Sequence, residues 1–76
     1  MNNNKLTYLN PGCRATVTGL KTKDSMRRRL QDMGVIEGTN IECVMKSPGG
    51  DPKAYLIRGA VVAIRSEDSD NILIEM

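Results

Sequence analysis

Tyr55-Leu56-Ile57-Arg58-Gly59-Ala60-Val61-Val62-Ala63-Ile64-Arg65 decides the fold class. Two apolar runs rich in β-branched residues flank a glycine-bearing dipeptide, which is how two strands joined by a tight turn read. Gly59-Ala60, with Gly at the first central place, predicts a two-residue type II′ connection. Outward from this hairpin the β pattern continues. Ile72-Leu73-Ile74-Glu75 is a further strand downstream. Upstream, Ile41-Glu42-Cys43-Val44-Met45 places positions 41, 43 and 45 on one face. Arg14-Ala15-Thr16-Val17-Thr18 alternates small apolar with polar residues, and Gly19 is expected to end that strand. Ser47-Pro48-Gly49-Gly50-Asp51-Pro52 is too rich in turn formers to be anything but a loop.

One segment breaks the β pattern. Met26, Leu30 and Met33 recur at helical spacing and fall within an arc of about 60°. Asp24 or Ser25 is placed to cap the first amides, and Arg28 and Asp32 have the spacing of a helical ion pair. Gly34 supplies the left-handed residue that stops the helix. A helix this short is unstable alone and must dock on a sheet. The chain therefore reads as mainly β: a small SH3-like β-barrel of about five strands with one short inserted α-helix at about residues 24–33. A five-stranded OB-like barrel is the alternative. Residues 1–5 are expected to be a flexible N-terminus and 6–76 a single domain.

The chain's 76 residues include six Ile, six Leu, five Val and five Met, enough for one small core. Phe, Trp and His are absent, and only Tyr8 and Tyr55 are aromatic. Stacking platforms for single-stranded nucleic acid or Pro-rich peptides lack their side chains. The usual general base and the commonest zinc or iron ligand are both missing, so no catalytic, cofactor-binding or metal residues are assigned and no enzyme is expected. Cys13 and Cys43 stand thirty residues apart and form no chelating motif. They read as small core residues in a reducing cytosol. No apolar run approaches the roughly 20 residues that cross a bilayer, so a soluble, cytoplasmic protein is expected, touching a membrane only through a partner.

Two elements stand out as candidate partner-binding surface. Lys21 to Arg29 carries five basic side chains against Asp24, and Arg27 and Arg28 point away from the apolar stripe. The alternative for that run is a solvated helix face. Pro48, Gly49, Gly50, Asp51 and Pro52 form a loop with stiff ends and a permissive middle. It is either a recognition loop or a plain turn in which Asp51 caps its own backbone. Glu67, Asp68 and Asp70 lack the order of a calcium loop and read as solvated turn residues. A nucleic-acid-binding barrel would need more basic contacts than one helix offers, and direct binding of a transition metal would require Cys13 and Cys43 to converge.

In order along the chain, these pieces resemble a known pattern. Leu6-Thr7-Tyr8-Leu9 with Pro11-Gly12 is similar to an opening LsxLxpG. Arg28-Arg29-Leu30-Gln31-Asp32-Met33-Gly34-Val35-Ile36-Glu37-Gly38-Thr39 is similar to RRLLDLGLIPGT. Ser47 to Pro52 resembles APLGDP, and Arg58-Gly59 with Val62-Ala63-Ile64-Arg65 resembles RGYxIALR. The resemblance is to the FeoA family, small cytosolic accessory proteins of bacterial ferrous-iron transport. It implies an SH3-like barrel and a non-enzymatic partner of a membrane ferrous-iron transporter carrying a GTP-hydrolysing G domain. It implies neither nucleic acid nor direct membrane insertion, and exposed β-edges permit a homodimer. Gly49 stands where the pattern has Leu, Glu37 where it has Pro, and Gln31 where it has an apolar residue.

Overall fold

Residues 4–76 are described by the computed structural model. After a 3₁₀ turn at Leu6–Tyr8 come strand β1 (Arg14–Leu20), helix α1 (Asp24–Asp32), β2 (Asn40–Lys46), β3 (Lys53–Ile57), β4 (Ala60–Ile64), helix α2 (Ser66–Ser69) and β5 (Ile72–Glu75). The strands form one antiparallel sheet in the order β4-β3-β2-β1-β5. This is the expected mainly β arrangement with a helix inserted between two strands. The outer edge of β5 is covered: the Ile74 amide donates to the Asn4 carbonyl at 2.7 Å, and Lys5 bridges to Leu73. Of the stretch 1–5 expected to be flexible, residues 1–3 lie outside the described residues. Among the described residues, the outer edge of β4 has no strand partner.

Alternation along the strands builds the core. Ala15, Val17, Ile41, Cys43, Tyr55, Ile57, Ile64, Ile72 and Ile74 point inward, joined by Leu6, Leu9, Leu30 and Val35 from outside the sheet. Each large aliphatic side chain buried this way contributes about 1.5–3 kcal/mol. Helix α1 docks as its apolar stripe requires, with Leu30 fully buried and Met26 and Met33 packed against the core margin.

The ends of α1 differ. At the C-terminal end the Gly34 amide donates to the Gln31 carbonyl at 2.9 Å and the Val35 amide to the Leu30 carbonyl at 3.0 Å. These two bonds and Gly34 at φ +98° make a Schellman motif, which turns Val35 into the core. A Cβ at Gly34 would lie 3.2 Å from Ile57 Cγ2. At the start, the expected side-chain cap does not form. Lys23 is the cap residue, and Asp24, already in the helix, has φ +57°. The expected Arg28–Asp32 pair is also absent; the ion pairs among the described residues are Arg14–Glu42 at 3.8 Å and Arg29–Asp68 at 3.2 Å.

Three strand details depart from the sequence pattern. Strand β1 runs through Gly19 to Leu20, because a bulge between Val17 and Gly19 absorbs the glycine without ending the ladder to β5. A second bulge, between Cys43 and Met45, turns Met45 outward to 59% exposure instead of beside Ile41 and Cys43. The hairpin turn is Arg58-Gly59 rather than Gly59-Ala60, since Ile57 pairs with Ala60. Both central residues have positive φ, +51° and +85°, as type I′ requires. The register slips by two residues, which leaves the inward-facing set unchanged.

Candidate functional site

The two elements singled out in the sequence meet on opposite ends of a third that the sequence did not reveal. Helix α2 is one turn of four mostly polar residues, too short for periodicity to register, and its acidic side chains read as turn residues. At its start the Ser66 amide donates to Asp51 Oδ1 at 2.7 Å. Near its end Asp68 Oδ2 accepts from Arg29 Nη2 at 3.2 Å. Asp51 thus caps a helix fifteen residues away instead of its own loop. Asp68 is not a solvated residue but 9% exposed, with Oδ1 buried and unpartnered. The basic run of α1 and the acidic residues of α2 touch at this pair. Asn71 fastens the same corner, its side-chain amide donating to the Glu67 carbonyl at 3.0 Å.

The three consecutive arginines have three fates. Arg29 pairs with Asp68, while Arg27 Nη1 donates to the Leu20 carbonyl at 3.4 Å. Arg28 is exposed and, among the described residues, has no ion-pair or hydrogen-bond partner. One uncommitted guanidinium makes a sparse contact for a phosphate backbone and an adequate one for a carboxylate on a protein surface.

The loop is stiffer than its glycines imply. Ser47 closes it twice on the Pro52 carbonyl, through its amide at 3.2 Å and its hydroxyl at 2.6 Å. The Gly50 amide donates to the Ser47 carbonyl at 2.7 Å, and Gly50 takes φ +91°. Pro48 and Gly49 stand exposed at the tip, and nothing lies within 4 Å of where a Gly49 Cβ would be. A Cβ at this position would therefore enter open space. Behind the loop, Lys53 Nζ donates to the carbonyls of Thr7 and Leu9 at 2.7 and 3.1 Å, holding β3 to the 3₁₀ turn.

A second surface was missed because its defining residue sits in the misplaced turn. Arg58 walls two adjoining depressions of about 300 and 400 Å³, which also share Asn40. Its aliphatic stem lies against Gly34, with Cδ 3.3 Å from the position a Cβ would take there. Nothing in the sequence marks Arg58 as a non-glycine residue at positive φ, and the glycine beside it drew the expected turn to its own position. Among the described residues, no three His, Cys, Asp or Glu side chains gather in a way that could hold a metal ion. Cys13 and Cys43, far apart in sequence, are nevertheless joined by one backbone hydrogen bond, from the Cys43 amide to the Cys13 carbonyl at 3.0 Å. Among the described residues, no helix is long and apolar enough to cross a membrane.

Comparison with known proteins supplies the context for this surface. The FeoA domain family matches residues 4–76. An Fe(2+) transport protein A/Fe(2+) transporter FeoB fusion protein of Porphyromonas gingivalis is 31% identical over 72 residues. That match takes in 95% of this chain but only 8% of the fusion protein's length. The solution structure of iron(II) transport protein A from Clostridium thermocellum superposes with a TM-score of 0.92 at 32% identity, covering 95% of this chain and 44% of that one. Stenotrophomonas maltophilia FeoA, described as a prokaryotic SH3 domain protein, gives a TM-score of 0.83 at 24% identity, covering 93% and 88% of the two chains. It supports the SH3-like form of the barrel over the OB-like one. With five antiparallel strands in this arrangement and the family's pattern matched from Asn4 to Met76, the chain belongs to the FeoA family.

Proposed function

We propose that this domain is a non-enzymatic accessory module of ferrous-iron uptake. In this reading it docks on the cytosolic side of a membrane ferrous-iron transporter that carries a G domain, and modulates that transporter's activity or assembly. The observation that carries it is the fused relative, in which a homologous domain shares one polypeptide with a ferrous-iron transporter. A single chain holds its parts at high effective concentration, so a domain found both fused and separate fits a contact between the two. The docking surface is the corner of α1, α2 and the Ser47–Pro52 loop. It offers the uncommitted Arg28 and the outward tip at Pro48 and Gly49, both on elements held in place by α2. The absence of His from the whole sequence agrees with a binding role.

Co-purification of the tagged domain with the full-length transporter from solubilised membranes, across a salt series, tests this reading. Retention at moderate salt is expected. Arg28→Glu should reduce it several-fold while leaving stability within about 0.5 kcal/mol, as for an exposed side chain without partners. Gly49→Leu, which enters open space, should hold or strengthen it. No retention in any nucleotide state of the transporter would remove the partner. Capture of nucleic acid with a steep salt dependence would point to the other class of ligand.

A further inference from the structure

Cys13 faces Cys43 one step beyond the end of the β1–β2 ladder. The Gly12 amide donates to the Cys43 carbonyl at 2.7 Å, and the Cys43 amide donates to the Cys13 carbonyl at 3.0 Å. With Gly12 at φ +91°, this is a G1 bulge whose second residue is Cys13. The ladder continues with Arg14 opposite Glu42 and Ala15 opposite Ile41. Arg14 and Glu42 meet as an ion pair on the outer face, whereas Ala15 and Ile41 are buried. Period two therefore puts both cysteines on the inner face. Their burial agrees: Cys43 is 0% exposed and Cys13 is half-buried against the same core. Opposed antiparallel residues have Cα atoms about 4.5–5.5 Å apart, and the single bond from the Cys43 amide to the Cys13 carbonyl keeps this bulged pair adjacent. Disulfides span about 4.4–6.8 Å between Cα atoms.

We propose that Cys13 and Cys43 form an intrachain redox pair that closes to a cross-strand disulfide on reaction with a small-molecule disulfide such as glutathione disulfide. The half-exposed Cys13 attacks first. Its thiolate forms a bond to one glutathione sulfur, the glutathione S–S bond breaks, and one glutathione thiolate leaves. Cys43 then attacks the Cys13 sulfur and expels the second glutathione. Two protein thiols lose two electrons and two protons, and one glutathione disulfide becomes two thiols. Burial pushes the Cys43 thiol up while the neighbouring Lys53 ammonium opposes that shift, so Cys43 suits the later, resolving step. The bridge closes a loop that contains all of α1 and constrains the unfolded chain. This inference stands independently of the transporter reading.

The test is intact-mass analysis of the whole protein incubated with glutathione disulfide, followed by peptide mapping after alkylation. The expected result is a loss of two hydrogens, a Cys13–Cys43 cross-link, and a melting temperature raised by roughly 5–15 °C that a thiol reductant reverses. In Cys43→Ala, a glutathione adduct should persist on Cys13. In Cys13→Ala, modification of the buried Cys43 should slow at least tenfold. The proposal is overturned if both wild-type thiols are still alkylated after unfolding, if the glutathione adduct on Cys13 accumulates in the wild type, or if the bridge forms between two chains. The wild-type measurement decides even where a variant fails to fold.

Discussion

The inner face of the sheet and the corner of α1, α2 and the loop are built from opposite materials. The inner face is apolar and continuous: Leu30, Val35, Ile41 and Ile57 belong to one buried cluster, and removing any one disturbs its packing. The corner is polar and rests on a few separate bonds: Asp51 to the Ser66 amide, Arg29 to Asp68, Ser47 to the Pro52 carbonyl. The inner face stabilises the fold and tolerates little change. The corner costs little to alter, which leaves its exposed positions free to serve a partner.

Leu30→Ala should show the largest loss in the core. Truncating this fully buried side chain is expected to cost about 2–5 kcal/mol by chemical denaturation. A cost below about 1 kcal/mol would mean that α1 is seated loosely and belongs with the corner. Gly34→Ala comes next. It forces a Cβ to φ +98° and into Ile57 and Arg58, and should cost roughly 1–3 kcal/mol. A neutral result would show that the helix end relaxes, which would blur the contrast.

Tyr55 sharpens it through pH. Burial pushes its hydroxyl from the ordinary value of 10.0 up to about 12. The folded state holds the proton more tightly than the unfolded one, so this contribution is complete below pH 10 and is lost as pH rises from 10 towards 12. Denaturation midpoints should fall across that window and flatten in Tyr55→Phe. An unchanged slope in the variant would assign the alkaline loss elsewhere. Asp51→Ala is the smallest effect. Loss of an exposed cap should cost about 0.5–1 kcal/mol, with the melting transition still cooperative. A loss as large as that of Leu30→Ala would make the corner part of the core.

Strand faces and the helix were legible in the sequence because period-two and period-3.6 patterns survive without knowledge of neighbours. Ile41, Cys43, Ile57 and Ile74 all lie on the inner face, and Leu30 docks the helix. Features that depend on a partner strand were not legible. The bulge at Cys43–Met45 is a property of β2 against β3, so alternation alone carried Met45 inward. The hairpin turn was misplaced by one residue because glycine drew attention to its own position, and nothing local showed Arg58 taking a left-handed conformation. Of the candidate residues, Arg27, Arg28, Pro48, Gly49 and Asp51 are exposed, and Gly50 and Pro52 are half-buried. Their attachments were hidden, since Asp51 acts on Ser66 and Arg29 on Asp68 across 15 and 39 residues of chain. The facing of Cys13 and Cys43 had the same cause.

Helix α2 has one further consequence. A single turn tied to α1 and to the loop by one side-chain bond each is expected to open locally at a lower free energy than the whole domain. Amides of Asp68, Ser69 and Asp70, bonded only within that turn, then exchange with solvent hydrogen through brief excursions. Those of β2 and β3 wait for global unfolding. A ligand gripping both α1 and the loop would suppress those excursions, and exchange protection at three amides would register its arrival even if no atom of the mean structure moved.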